Sequence, residues 1–135
     1  MASMRRSARR DRGSELPVRL QRAYEEPGSD DGVRVLVDRI WPRGRTKEQL
    51  RLDRWDRDVA PSTKLRLWFG HDRRRWEEFR SRYRAELAQP AQAAILEELV
   101  MLARGGRLTI VFGARDVEHS QARVIANEIE ARLAS

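Results

Sequence analysis

The sequence predicts a single α/β domain in which a small, mostly parallel sheet is covered by helices. Apolar, β-branched runs at residues 33–37 and 108–112 are typical of buried strands. Segments with helical periodicity lie between them, so the two strands are expected to run parallel, joined by a helical crossover. A length of 135 residues fits one ordinary domain.

The first 15 residues are predicted to form a disordered basic arm, because MASMRRSARRDRGSE is too poor in aliphatic side chains to bury a face. The folded domain is therefore expected to span residues 16–135. Its first segment, LPVRLQ, alternates apolar and polar residues in the manner of a strand. The turn-rich sequence EEPGSDDG then leads to the strand at 33–37.

The middle of the chain, residues 38–61, is expected to be irregular because proline and glycine interrupt it. Thr46 can cap a single helical turn within this segment. Ser62 is a candidate N-cap for a short helix, and Gly70 is placed to end that helix.

Two longer helices are predicted next. The first has an apolar stripe at helical spacing, formed by Trp76, Phe79, Tyr83 and Leu87. The second begins at Pro90 and ends at the glycine pair 105–106. A final helix follows the strand at 108–112, with Asp116 expected as its N-cap and His119 one turn inside it. The predicted core comprises Val35, Leu36, Val37, Leu99, Ile110, Val111, Ile125 and Ile129.

Composition excludes several classes of function. The chain has no cysteine, which excludes a disulfide scaffold and a thiolate nucleophile. Two histidines are too few for a typical zinc site, so no metal is expected. No apolar run approaches the roughly 20 residues of a membrane span. We therefore expect a cytoplasmic protein without membrane contact.

The positive charge is concentrated in one part of the chain. The formal net charge is +7, and residues 38–84 alone carry 15 basic and 8 acidic side chains. The same segment holds all four tryptophans. Arginine can bind phosphates while indoles stack on bases. One hypothesis is therefore nucleic-acid binding through residues 38–84 and the arm, with Trp41 stacking on a base.

The hypothesis we prefer is a site for a small anionic ligand, such as a phosphorylated metabolite or a nucleotide. Ligands of open parallel sheets bind beyond the C-terminal ends of the strands. The residues expected to converge there are Asp38, Arg39, Trp41, Arg43, Arg115 and His119. The three arginines would hold the anion, and Trp41 would form an apolar wall. Asp38 and His119 would act as an acid–base pair.

These residues do not specify a reaction. No serine nucleophile and no Walker-type glycine loop accompany them, so the sequence leaves open whether the protein binds its ligand or transforms it. His71, in the connection between two helices, is interpreted as structural. The cofactor and the oligomeric state are also left open.

Residues 34–44, with the sequence RVLVDRIWPRG, resemble the opening motif of the bacterial YeaO-like proteins, a family defined by domain of unknown function 488. Shorter matches follow at 52–55, 60–62, 65–66, 68–72 and 114–116. The resemblance covers about residues 17–134 and implies the α/β fold and the site, but it brings no reaction. Relatives tend to have lysine at Arg115 and asparagine at Ser120. Arginine stays protonated, so Arg115 favours anion binding over amine chemistry.

Overall fold

The computed structural model describes residues 17–135, and the predicted arm at 1–15 lies outside these residues. Within them the strands are β1 (Val18–Arg22), β2 (Val33–Leu36), β3 (Arg54–Trp55) and β4 (Leu108–Phe112). The α-helices are α1 (Lys47–Leu50), α2 (Thr63–Phe69), α3 (Trp76–Leu87), α4 (Pro90–Gly105) and α5 (Gln121–Ala134). Short 3-10 turns occupy Arg57–Val59, Arg73–Arg75 and Val117–His119.

The strands pair in the order β1-β4-β2-β3, and every pairing is parallel. The two strongest predicted strands are neighbours, with Val35 opposite Ile110. The α/β fold class and the single domain are therefore confirmed. The prediction of an irregular segment at 38–61 was wrong for β3, which pairs with β2 at the edge of the sheet. A strand of two residues is too short to show alternation in the sequence.

The helix ends follow the predicted capping residues. Thr46 and Gln49 form a reciprocal capping box at α1. The Ser62 hydroxyl accepts a hydrogen bond from the third backbone N–H of α2, and Gly70 ends that helix in the left-handed conformation, with φ at 54°. Pro90 is the first residue of α4. The backbone N–H at this position of a helix has no intrahelical acceptor, so proline, which lacks it, costs no hydrogen bond.

The prediction for the start of the last helix was wrong. α5 begins at Gln121, and its N-cap is Ser120, whose hydroxyl accepts from the backbone N–H of Arg123. Asp116 makes no capping bond, and it precedes the 3-10 turn that contains His119. His119 therefore lies just before α5 rather than one turn inside it. Ser120 belongs to the same group of favoured N-cap residues as Asp116, and it is Ser120 that occupies the cap position.

The two faces of the sheet differ. One face packs against α2–α5 in the main core, which includes Val35, Val37, Ile110 and Phe112. The other face carries Leu36 and Val111 and is covered by a smaller cluster with Ala23, Leu50, Trp41, Leu52 and Trp55. All eight predicted core residues are buried. None of the helices between residues 17 and 135 is long and apolar enough to cross a membrane.

The loop from residue 23 to residue 32, between β1 and β2, is held by a buried ion pair. The guanidinium of Arg34 contacts the carboxylate of Asp31 at 2.6 Å, and both side chains are almost fully buried. Arg34 also donates to the carbonyl of Leu50 at 2.9 Å, and the carbonyl of Asp31 accepts from the Thr109 hydroxyl at 2.7 Å. A buried ion pair is tolerated only with such additional bonds, which fix the loop across β4.

Gly32, at the end of this loop, should be much harder to replace than Gly44. Both have positive φ, at +66° and +80°. A Cβ on Gly32 would lie 2.1 Å from the carbonyl oxygen of Arg107, whereas a Cβ on Gly44 would meet nothing within 4 Å. We predict that Gly44→Ala lowers the free energy of unfolding by about 1 kcal/mol through backbone strain alone. Gly32→Ala should lower it by about 3 kcal/mol or more. Urea denaturation measures the free energy of unfolding of both variants. Equal losses would contradict the close approach of Gly32 to the Arg107 carbonyl.

Candidate functional site

A cavity of about 240 Å³ lies beyond the C-terminal ends of β2 and β4. It is lined by residues 38–40 after β2, by residues 113–114 after β4, and by residues 119–121 at the start of α5. The remaining sides are closed by Ala60, Pro61, His71 and Phe79, and by Arg66 and Phe69 on α2. The parallel sheet thus brings its strand ends together where ligands bind in folds of this kind.

Asp38 joins the elements that surround the cavity. Its Oδ2 accepts a hydrogen bond from the backbone N–H of Gly113 at 2.9 Å. Its Oδ1 accepts from Nε2 of Gln121, the first residue of α5, at 2.6 Å. Its backbone carbonyl accepts from the Trp55 indole at 2.7 Å. One residue therefore connects the end of β2 to β3, to the end of β4 and to α5.

Burial changes the acid–base behaviour of Asp38. Desolvation raises the pKa of its carboxyl from 3.8 to about 6, against the opposing effect of the hydrogen bonds from Gly113 and Gln121. Loss of water disfavours the charged form more than two donors favour it. Asp38 can therefore gain or lose a proton within about one pH unit of neutrality, as acid–base groups in sites do.

His119 is held in a fixed orientation at the cavity wall. Its Nδ1 lies 3.0 Å from a carboxylate oxygen of Asp116, and the same oxygen accepts from Nε of Arg73 at 2.7 Å. The hydrogen bond from His119 and then the contact with Arg73 keep the pKa of Asp116 below its usual value. A carboxylate partner places the proton of the neutral ring on Nδ1. Nε2 is then the basic nitrogen. It has no hydrogen-bond partner among residues 17–135.

Two arginines supply positive charge to the cavity. Arg39 donates to the carbonyls of Pro61 and Ala60, each at 3.2 Å. The nearest carboxylate, that of the exposed Asp58, is 4.0 Å from its guanidinium. Arg66 is exposed, and within the described part of the chain it forms no ion pair. Neutral carbonyls orient a guanidinium without cancelling its charge, so both arginines can attract an anion.

The structure brings together three of the six predicted site residues: Asp38, Arg39 and His119 line the cavity. The other three, Trp41, Arg43 and Arg115, do not line it, and both of these arginines are exposed. Trp41 packs edge-on against Trp55 at 5.3 Å between ring centres, in the smaller core on the opposite face of the sheet. Its indole N–H donates to the carbonyl of Arg45.

Sequence reasoning missed Arg66 and Gln121 and treated His71 as structural. Arg66 lies on α2 and reaches the cavity only through the packing of that helix, which no local pattern reveals. His71 lines the cavity because it directly follows the left-handed Gly70 and is itself left-handed, with φ at 58°. Gln121 carried a signal, since it follows the N-cap Ser120, a residue type recognisable in the sequence. Between residues 17 and 135 no three acidic, histidine or cysteine side chains form a metal-binding group.

Comparisons with known proteins identify relatives over nearly all of the described residues. A family model described as the inactive DUF488-N3 subclade matches residues 17–135. The uncharacterised protein Rv3073c of Mycobacterium tuberculosis is 45% identical over 118 residues, which cover 87% of this chain and 98% of the relative. The uncharacterised protein YeaO of Escherichia coli is 38% identical over 112 residues, covering 83% and 96%. No solved structure matches the chain significantly.

Replacing Asp38 should change how stability depends on pH. The pKa of Asp38 is raised by folding, so its contribution to stability is complete below about pH 4 and is lost as the pH rises through about 6. Asp38→Asn removes this titration, and a rotated Gln121 amide can still pair with it. The free energy of unfolding of the wild type, relative to Asp38→Asn, should fall by up to about 3 kcal/mol between pH 4 and pH 7.

Asp38→Ala is the control for this experiment, because it also removes the titration but leaves Gly113 and Gln121 without an acceptor. It should be less stable than Asp38→Asn by about 1–3 kcal/mol at both pH values. Urea denaturation at each pH gives the required free energies. A difference between wild type and Asp38→Asn that does not change with pH would show that burial leaves the Asp38 carboxyl unperturbed.

Proposed function

Because the chain belongs to the DUF488 family, in the subclade described as inactive, we propose that it binds a small oxyanion in the cavity at the strand ends rather than transforming it. The observation that carries the proposal is the presence of two guanidinium groups at one cavity. Within residues 17–135, Arg66 forms no ion pair, and the only carboxylate within ion-pair distance of Arg39 is that of the exposed Asp58, at 4.0 Å. Charge-assisted hydrogen bonds to phosphate or carboxylate are the strongest polar contacts that such groups make.

The size of the cavity supports a small ligand. A volume of about 240 Å³ is below the roughly 300–1,000 Å³ of pockets that enclose drug-sized molecules. A phosphorylated metabolite of a few carbon atoms fits such a volume, whereas a nucleotide would extend beyond the mouth. The ligand class that we favour is therefore the phosphorylated or carboxylated metabolite.

Two features favour binding over turnover. Each carboxylate oxygen of Asp38 already accepts a hydrogen bond from the protein itself, which gives this residue an architectural task. The matching family model is described as inactive. Asp38 and His119 remain the pair that would carry acid–base chemistry if a ligand were transformed, since both line the cavity and His119 has a free basic nitrogen.

Nucleic-acid binding is the alternative, and a cleft of about 500 Å³ beside Trp41, Trp55 and Lys47 is the observation that favours it. Exposed indole surface next to cations can stack bases. Asp53 also lines the cleft, and its carboxylate would repel phosphates. The charge of Arg54 is already paired with Asp56 and Glu98. These contacts make the cleft the weaker candidate for a polyanion.

A thermal-shift screen with inorganic phosphate, sugar phosphates, hydroxy acids and nucleotides tests the proposal. At least one small oxyanion should raise the Tm of the wild type, because a ligand that binds only the folded state stabilises it. Arg66→Ala should weaken its apparent affinity about five- to tenfold through the loss of one charged contact. The screen measures Tm against ligand concentration for both proteins.

Arg80→Ala is the matched control, because Arg80 is also a surface arginine on a helix but pairs with Glu77 outside the cavity. It should leave the affinity unchanged. If Arg80→Ala weakens binding as much as Arg66→Ala does, diffuse positive charge holds the anion and the proposed site is wrong. Binding of a single-stranded oligonucleotide that depends on Trp41 but not on Arg66 would support the alternative function instead.

A further inference from the structure

The cavity has an electrostatic direction. Asp38 is held against Gly113 and the first residue of α5, and loss of water is the largest influence on the pKa of its carboxyl, so we assign it to the inner end. Arg66 is exposed, and Arg39 retains more than a quarter of its side-chain exposure, so these cations lie toward the solvent. An anion placed beside Asp38 would meet a carboxylate that is ionised above about pH 6. The outer end is therefore the favourable place for the charge of a ligand.

The inner end is suited to a hydroxyl group. Each Asp38 oxygen accepts one hydrogen bond from the protein, and a carboxylate oxygen has capacity for a second. The neighbouring groups of the protein are donors, namely the Gly113 N–H, the Gln121 amide and the N-terminal end of α5. A helix N-terminus carries partial positive charge and disfavours an ammonium group. A hydroxyl avoids this penalty because it is neutral and can both donate and accept.

The wall of the cavity also has an apolar part. Phe69 and Phe79 are buried in the wall, and Ala60 faces the same cavity. The side chains of this part can pack against a short carbon skeleton but offer it no hydrogen bonds. The distribution of polar groups thus separates two recognition points, one for a hydroxyl and one for a charge.

We propose that the ligand is a hydroxylated oxyanion, which donates a hydroxyl hydrogen bond to Asp38 at the inner end and places its phosphate or carboxylate between Arg39 and Arg66 at the mouth. This inference rests on the proposed function and adds the chemical class and the orientation of the ligand. Polyol phosphates and hydroxy acids of about three to five carbon atoms carry both groups and are small enough for the cavity.

Two phosphates that differ only in their hydroxyl groups test the inference. Glycerol 3-phosphate and propyl phosphate have the same charged group, and calorimetric titration at pH 7.5 compares their affinities while Asp38 is ionised. Glycerol 3-phosphate should bind the wild type about tenfold more tightly, as expected for a hydrogen bond to a charged acceptor. Glycerate and propionate form a parallel pair that distinguishes a carboxylate ligand from a phosphate ligand.

Two variants test which residue binds the hydroxyl of the ligand and which binds its phosphate. Asp38→Asn should reduce the preference for glycerol 3-phosphate to about threefold or less, because the acceptor becomes neutral. Arg66→Gln should weaken both phosphates by the same factor and leave the preference unchanged. Equal affinities of the wild type for the hydroxylated and plain compounds in both pairs would overturn the inference but leave the proposed function intact. If none of the four compounds and none of the screened anions binds, both are wrong.

Discussion

The carboxylate of Asp38 holds together parts of the chain that are far apart in sequence. It bonds the backbone after β4 through Gly113 and the start of α5 through Gln121. A Cβ at position 113 would lie 2.9 Å from the Asp38 oxygen, so a larger residue there would have to displace this carboxylate. The cavity is the space that these segments enclose once Asp38 has joined them. Its walls therefore depend on a carboxylate that is only partly accessible to water, which raises its pKa to about 6.

The motif at 34–44 makes structural contacts near the start of β2 and lines the cavity beyond its end. Arg34 points to the face covered by loops, where its buried ion pair with Asp31 fixes the connection from β1. Asp38 and Arg39, just past the strand, reach the cavity instead. Trp41 then turns back to the smaller core, where it packs against Trp55. This short segment therefore contributes side chains both to the face of the sheet that loops cover and to the lining of the cavity.

Much of the fold could be predicted because it follows from local rules. Buried strands, capping residues and the parallel-sheet rule led to β2, β4 and the convergence of Asp38, Arg39 and His119. The failures have physical causes. β3 is too short to show alternation, and Asp116 and Ser120 compete as caps for one helix. Arg66 reaches the cavity from α2 only through tertiary packing. Strand ends alone also could not show that Trp41 belongs to the opposite face.

A nuclear magnetic resonance titration of the Asp38 side-chain carboxyl carbon, with and without saturating inorganic phosphate, tests the central claim most directly. Without phosphate the midpoint should lie at about pH 6. With phosphate bound at the cationic mouth, the midpoint should move upward, because a nearby negative charge disfavours a second one. A midpoint near pH 4 would contradict the burial of this carboxylate. A midpoint near pH 6 that phosphate leaves unchanged would contradict an anion site in the cavity that Asp38 builds.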